Sequence, residues 1–303
     1  MDKLKTIICG IDFSKNSKCA LRQAARIAEW NGADIIAVHV LDKALLEAFT
    51  EIPQQELEVS AVTHLENLVF EVLGDATKAR QEVFAGNPFR SLSDFVESES
   101  ADLLVLGVHG HGTETDTASP AGTTARKCVR KIPAKVLLVR GDQPGDFRSI
   151  VHCTDFSTPS SQAFEQAIAI AREEKATLEV IYSMIAPERL LYGMGDGSLY
   201  SYVRPEALRE RADEDMARYV KGFESQLDGM EVKTTIVEAS HSAVGNTLVE
   251  AIANSGADLA VLGTHGRGAI TGMLMGTTAE KIVAHAPCSI LAVKPDNFKA
   301  FWK

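Results

Sequence analysis

Two hydrophobic periods alternate along this chain. Short apolar runs, each closed by an acid, a glycine or a basic residue, are separated by longer segments in which apolar residues return every third or fourth position. The runs Thr6 to Asp12, Asp34 to Leu41, Arg80 to Ala85, Asp102 to Leu106 and Lys135 to Arg140 predict buried strands. Between the first two, Ala20, Leu21, Ala24, Ala25, Ile27 and Ala28 predict a helix capped by Ser17 and ended by Asn31-Gly32. Leu57, Ala61, Leu65, Leu68 and Val72 predict another over Glu56 to Leu73, with Gly74 as its C-terminal cap, and two more cover Phe89 to Ser98 and Thr123 to Lys131.

After Gly141-Asp-Gln-Pro-Gly-Asp146, a turn-forming stretch, the same order is written again. Strands are expected at Ser149 to Asp155, Thr177 to Ser183, Val232 to Ala239, Asp258 to Leu262 and Ser289 to Lys294. Helices are expected at Ala163 to Glu174, with Thr158-Pro159 as cap and first-turn proline, at Glu206 to Leu227 and at Val244 to Ala253. Asp12-Phe13-Ser14 recurs as Asp155-Phe156-Ser157 at an offset of 143, whereas Gly107 recurs as Gly263 at 156, so the second half carries an insertion. Most of it falls in Ala186 to Arg204, an aromatic stretch that reads equally as a loop, a lid or a partner surface. The duplication predicts two tandem α/β domains, residues 1–143 and 146–303, each a doubly wound five-stranded parallel sheet. The aliphatic last strand of each half would be a liability if exposed, so the halves are expected to pair there about a pseudo-two-fold axis.

The chemistry concentrates in a glycine-rich loop present in both copies. Gly263-Thr-His-Gly266-Arg267-Gly268 is followed by Gly276-Thr277-Thr278-Ala279-Glu280-Lys281, and Gly107-Val-His-Gly110-His-Gly112 by Gly122-Thr123-Thr-Ala-Arg126-Lys127. A loop between a strand and a helix at the carboxyl edge of a parallel sheet is where such sheets bind ligands. Glycines let the backbone approach an anion, and the amides opening the next helix point at it with the positive end of the dipole. That reading is a phosphate cradle, although a bare tight turn also uses glycines and Asp155 also suits a helix cap. The first copy has eleven residues between Gly110 and Gly122 where the second has nine between Gly266 and Gly276, and they include Glu114 and Asp116. Carboxylates repel a triphosphate, so Asp12, Gly107, Gly110, Gly122 and Thr123 form the weaker candidate site. His109 and His265 occupy equivalent loop positions and read as general bases or as hydrogen-bonded loop histidines. His109, His111, Glu114 and Asp116 do not have the spacing of a zinc ligand set.

Composition narrows the classes. The formal net charge is −10, with acids in both halves and no basic block, which argues against nucleic acid as a partner. No apolar run reaches the 18 or so residues that cross a bilayer, and the first residues lack a leader pattern, so a cytoplasmic protein is expected. The five cysteines stand singly and read as reduced core thiols.

With the loop spacing, the acid after the first strand and the βαβ order together, the sequence resembles the universal stress protein family, in its tandem two-domain form. The family's nucleotide-binding members carry G-x2-G-x9-G-[S/T], which Gly263, Gly266, Gly276 and Thr277 match. The resemblance implies ATP with Mg²⁺ bridging its phosphates. Asp155 would accept from the adenine amino group and backbone near Tyr182 would bracket the ring. Gly263 and Gly266 would lie along the ribose and first phosphates, Gly276, Thr277 and Thr278 would hold the distal phosphates, and Arg267 would add a charged contact. It implies a nucleotide-dependent stress-response switch, with a slow ATPase or a scaffold with degenerate sites as alternatives. Because the halves supply each other's partner, a monomer or a homodimer is expected. Other nucleotide motifs are missing: the turn after each first strand lacks G-x-G-x-x-G, and G-x4-G-K-[S/T] does not occur.

Overall fold

The computed structural model describes residues 3–48, 53–110, 120–141, 145–186, 205–240, 242–266, 275–296 and 298. The first half runs β1 (Thr6–Ile11), α1 (Lys15–Asn31), β2 (Asp34–Asp42), α2 (Lys43–Ala48), α3 (Gln54–Leu73), β3 (Arg80–Gly86), α4 (Pro88–Ser98), β4 (Leu103–Gly107), α5 (Thr123–Lys131) and β5 (Lys135–Val139). The second runs β6 (Ser149–Thr154), α6 (Thr158–Glu174), β7 (Thr177–Ile185), α7 (Pro205–Lys221), α8 (Glu224–Leu227), β8 (Val232–Ala239), α9 (Val244–Ser255), β9 (Leu259–Gly263), α10 (Thr277–His285) and β10 (Ser289–Val293).

All ten strands form one sheet in the order β3-β2-β1-β4-β5-β10-β9-β6-β7-β8. Pairing is parallel within each half and antiparallel only where the halves meet, with Ile290 opposite Leu138, Leu291 opposite Leu137 and Ala292 opposite Val136. The expected pairing through the last strands is thus what the sheet does. The two outer edges, β3 and β8, carry Arg80, Gln81 and Glu82, and Lys233 and Thr235, side chains that discourage edge-to-edge pairing. Strand side chains alternate between two cores. Ile7, Cys9 and Ile11 face the layer of α1, α3, α6 and α7, while Ile8 faces that of α4, α5, α9 and α10. All five cysteines are buried and unlinked.

Several local expectations shift. α1 is capped by Ser14, whose hydroxyl accepts from Ser17 N–H at 3.1 Å, so Ser17 is the third residue of the helix. Likewise Ser157, and not Thr158, caps α6, which begins earlier than the apolar spacing indicated because Thr158-Pro159 fills its first turn. The region read as one helix over 206–227 is two. The chain breaks at Gly222, and Phe223 turns inward to pack edge-on against Phe164 at 4.8 Å. α2 was not expected; its start is fixed by Asp42, which accepts from Ala44 N–H at 3.0 Å. The insertion at 186–204 lies, after Ala186, outside the described residues.

Contacts other than the strand pair also join the halves. Arg26 of α1 reaches Glu174 of α6 at 2.5 Å and Asp146 at 2.9 Å, and Gln23 donates to Gly145 O at 2.7 Å, which pins the connecting segment. On the opposite layer, Ala121 N donates to Ala284 O at 3.0 Å, and Lys294 of the second half donates to Val129 O of the first. Lys294 is buried, 7% exposed, and burial moves its pKa down from 10.5 to about 7 despite that carbonyl. Between pH 7 and 10.5 the unfolded chain therefore carries a proton that the folded one lacks, and folding stability rises with pH across that window. Four buried thiols, Cys9, Cys128, Cys153 and Cys288, are pushed up by burial and oppose that rise as the unfolded thiols titrate at about 8.5. In urea unfolding at intervals from pH 7 to about 8.5, the stability of the native chain relative to Lys294→Met should therefore increase with pH. Equal slopes would show that Lys294 keeps its proton in the folded chain.

Candidate functional site

Each half builds the same corner at the carboxyl edge of its sheet. In the second, β6 ends at Thr154 and the chain turns through Asp155, Phe156 and Ser157 into α6. Phe156 has φ 60°, as Phe13 has φ 64° in the first half. A bulky residue in the left-handed region costs free energy and persists only where its surroundings hold it. Here Asp155 Oδ1 accepts from Ser157 N–H at 3.0 Å and from its hydroxyl at 2.5 Å, while the Phe156 ring packs on Tyr182 at 4.5 Å and Tyr219 at 5.3 Å. Tyr182 lies opposite Thr154 in the β6–β7 register, which sets its strand beside the turn.

The glycines are explained by close approach. A Cβ at Gly266 would stand 2.5 Å from Asp155 Oδ2, and one at Gly263 would stand 3.0 Å from Pro159 O in the first turn of α6. Gly263 thus lets β9 close against α6, and Gly266 lets the loop cross directly over the carboxylate. Gly276 N donates to Thr264 O at 3.0 Å, which returns the chain to the end of β9 before α10 begins. The first half repeats this: Cβ atoms at Gly110 and Gly107 would meet Asp12 Oδ2 and Asn16 Cβ, each at 2.8 Å, and Gly122 N donates to Val108 O at 2.9 Å. Two helix starts face each corner, and they differ. α6 and α1 are capped by Ser157 and Ser14, whereas α10 and α5 begin at Gly276 and Gly122 with no side-chain cap. The first-turn amides around Thr277, Thr278 and Thr123 are left to whatever stands in front of them.

Of the residues singled out in the sequence, the fold brings Asp155, Gly263, Gly266, Gly276 and the backbone beside Tyr182 to one corner, and Asp12, Gly107, Gly110, Gly122 and Thr123 to its counterpart. Arg267 lies outside the described residues, as do His111, Glu114 and Asp116 of the first-half loop. Among the described residues no cluster of histidine, cysteine and carboxylate has the arrangement of a metal site.

Both loop histidines are buried. His265 Nδ1 lies 2.9 Å from the Thr264 hydroxyl, and its ring packs against Phe298 at 5.5 Å. Burial, with Lys294 adding to it, holds its pKa below the usual range and the ring neutral. His109 Nε2 accepts from Arg140 at 3.1 Å, which leaves Nδ1 as the protonated nitrogen of the neutral ring. Arg140 and Lys294 end equivalent strands, and sequence periodicity had no means of placing them behind the glycine loops.

Sequence reasoning also missed a buried polar set beside the corner. His152 Nδ1 donates to Val261 O at 3.1 Å, and Nε2 accepts from the Tyr219 hydroxyl at 3.1 Å. Ser160 donates to the Thr154 hydroxyl at 2.9 Å, which accepts from Phe156 N–H at 2.9 Å. Burial pushes His152 down to about 4, so it stays a neutral connector. The set ties α7 to the Asp155 turn. Its first-half counterparts at the offset of 143, Cys9, Ile11 and Ser17, include a single hydroxyl, and that contrast is the only trace in the sequence.

A model of the universal stress protein family matches residues 3–140 and again 146–294. A universal stress protein of Mycolicibacterium smegmatis is 25% identical over 95% of this chain and 97% of its own length. One from Methanocaldococcus jannaschii is 32% identical over 49% of this chain and 82% of its own. The crystal structure of a universal stress protein from Archaeoglobus fulgidus superposes with a TM-score of 0.61 at 17% identity, covering 95% of this chain and 98% of that one.

The steric roles of the glycines differ in a measurable way. Gly263→Ala and Gly266→Ala should each cost about 1–3 kcal/mol in chemical unfolding. Gly276→Ala, whose Cβ has 3.9 Å to its nearest neighbour, should change stability by less than about 0.5 kcal/mol. Adding Asp155→Ala should restore part of the Gly266→Ala loss and none of the Gly263→Ala loss. Three equal losses would overturn the close-approach assignment.

Proposed function

Because this chain belongs to the universal stress protein family, we propose that it binds an adenine nucleotide, ATP with Mg²⁺, and that occupancy shifts how its two halves pack. The observation that carries the reading is the convergence, twice in one chain, of a fixed carboxylate, a glycine loop laid against it and a helix start without a side-chain cap. A carboxylate oxygen accepts from an amino-bearing base, and unsatisfied amides at a helix start attract phosphate.

In the second half, Asp155 takes the adenine amino group and the backbone at Tyr182 lies along the ring. Gly266 keeps the loop low enough for ribose and the first phosphates to pass over it, while Gly263 holds β9 against α6 beneath them. Gly276, Thr277 and Thr278 receive the distal phosphates, and Arg267 adds a charge-assisted contact. Mg²⁺ supplies charge neutralisation among the phosphate oxygens. Asp12, Gly107, Gly110, Gly122 and Thr123 form the same set in the first half, where the two additional loop residues and their acids weaken it.

A switch needs the sites to touch the interface between halves. Ala121, next to the first-half cradle, bonds to Ala284 at the far end of α10, the helix whose start is the second-half cradle. Movement of α10 toward a bound anion therefore pulls on the other half directly. Binding is favoured over turnover because His265 Nδ1 is taken by the Thr264 hydroxyl and its ring packs under Phe298, while among the described residues no carboxylate orients the buried Nε2 as a water-activating base.

Mass spectrometry of small molecules released on denaturing the purified chain, followed by titration with Mg-ATP, tests this. About one nucleotide per chain is expected, with affinity lowered at least tenfold by Gly276→Val, whose side chain would fill the space before the amides while leaving the fold intact. Two per chain would make the first-half site equally competent. Tight binding that the variant leaves unchanged would move the phosphates elsewhere, and no binding at all would favour an interaction scaffold. Phosphate release at a steady rate would favour the ATPase reading.

A further inference from the structure

Helix α5 stands apart from the rest of this acidic chain. Its nine residues, TTARKCVRK, hold Arg126, Lys127, Arg130 and Lys131 and no acid. Ala125, Cys128 and Val129 are buried against the sheet, and Arg126, Lys127 and Arg130 are exposed. α5 packs beside α10 across the seam between halves, which adds exposed Lys281 and His285 to the same face. Arg126 and Lys281 both act on His285: after burial, they are what hold its pKa below the usual range, which places the three groups together. Within the strip Arg130 lies 4.0 Å from the exposed carboxylate of Glu280. Beyond it the helices on either side add exposed carboxylates, Asp94 and Glu97 on α4, beside exposed Arg90, and Glu250 on α9.

We infer that the exposed face of α5, with Lys281 of α10, docks a short acidic helical segment of a partner protein. Arg126 with Arg130 and Lys127 with Lys131 form two rows at four-residue spacing, the repeat at which carboxylates recur on one face of a helix. The basic residues of α5 run from Arg126 to Lys131, roughly 9 Å at 1.5 Å per residue. That length suits about two turns of a partner helix. A duplex nucleic acid or an anionic bilayer extends well past it and meets the acidic rim and the remaining negative charge of a chain at −10. Single-stranded nucleic acid binds by stacking bases on aromatic platforms, and Phe89, under Lys131 at 5.8 Å, is only partly exposed. The inference goes beyond nucleotide binding and does not depend on it.

The test uses fluorescence anisotropy with a labelled alanine-based helical peptide carrying Glu at every fourth position, added to the full chain. Binding is expected at about 20 mM salt and should weaken about tenfold or more as salt is raised past 0.15 M. The double variant Arg126→Glu with Lys127→Glu should bind the peptide at least about tenfold more weakly, with an unchanged melting temperature because both side chains are exposed. The same peptide with Gln for Glu should not bind. Failure of the Glu peptide to bind at low salt, or equal binding by the charge-reversed variant, would overturn the proposal. So would tighter binding of a DNA duplex or of phosphatidylserine vesicles, either of which would assign the strip to that polyanion instead.

Discussion

The antiparallel pairing of β5 with β10 is the contact on which the rest of this molecule depends. Four of the five residues of β5 and all five of β10 are buried. A strand of that composition cannot end a sheet exposed to water, because it would offer both an apolar face and a row of unpaired amides. Joining the two last strands removes both problems and fuses two five-stranded sheets into one of ten. Because the join is antiparallel, it also turns the second half about a pseudo-two-fold axis. α5 then lies beside α10 on one layer, and Arg26 of α1 reaches Glu174 of α6 on the other. The polar cross-links are secondary to this. Arg140 N donates to Ser289 Oγ at 3.1 Å, and Lys294 reaches Val129 only because β10 carries it past the start of β5.

The same join puts the two candidate sites in mechanical contact. Each cradle is the start of a short helix, and those helices are neighbours across the seam. A rigid helix of nine residues conveys a displacement at its first turn to its last. In this chain the last turn of α10 holds the residue just before the opposite cradle. The second half adds a connection that the first lacks. The His152, Tyr219, Ser160 and Thr154 set couples the Asp155 turn to α7, whereas in the first half Phe13 packs at 4.4 Å on His39 and at 6.2 Å on His64. Two copies of one fold have thus been given different surroundings for the same carboxylate.

Much of this was legible in the chain. Alternation of periods placed all ten strands, with ends wrong by a residue or two, because burial on both faces leaves a continuous apolar run in the central strands. The edge strands β3 and β8 keep shorter apolar stretches between turn residues. Duplication supplied the symmetry, and the need to cover two apolar edges supplied the pairing of halves. Local capping was less legible. Asp-Phe-Ser-x-x-Ser offers several hydroxyls, and only the backbone path decides that Ser14 and Ser157 accept while Ser17 and Ser160 donate. The break at Gly222 was hidden because its cause is an aromatic stack in which Tyr219 and Phe223, on either side of it, meet Phe164 from α6.

By itself, then, the sequence determined the fold class, the repeat, the identity of the glycine loops and the acid that follows each first strand, since each of these is encoded by local spacing. Only the tertiary structure decided what the glycines are for: Gly263 to admit α6, Gly266 to cross a carboxylate, Gly276 to leave amides open. The same holds for the buried cations behind the loops and for the basic strip at the seam, where four charges on one short helix are joined by Lys281 of α10 packed beside it. Such properties arise from contacts between residues that lie on different elements, from 31 positions apart for Arg140 and His109 to 165 for Lys294 and Val129. Periodicity reports which face a residue occupies, and the fold alone reports what that face meets.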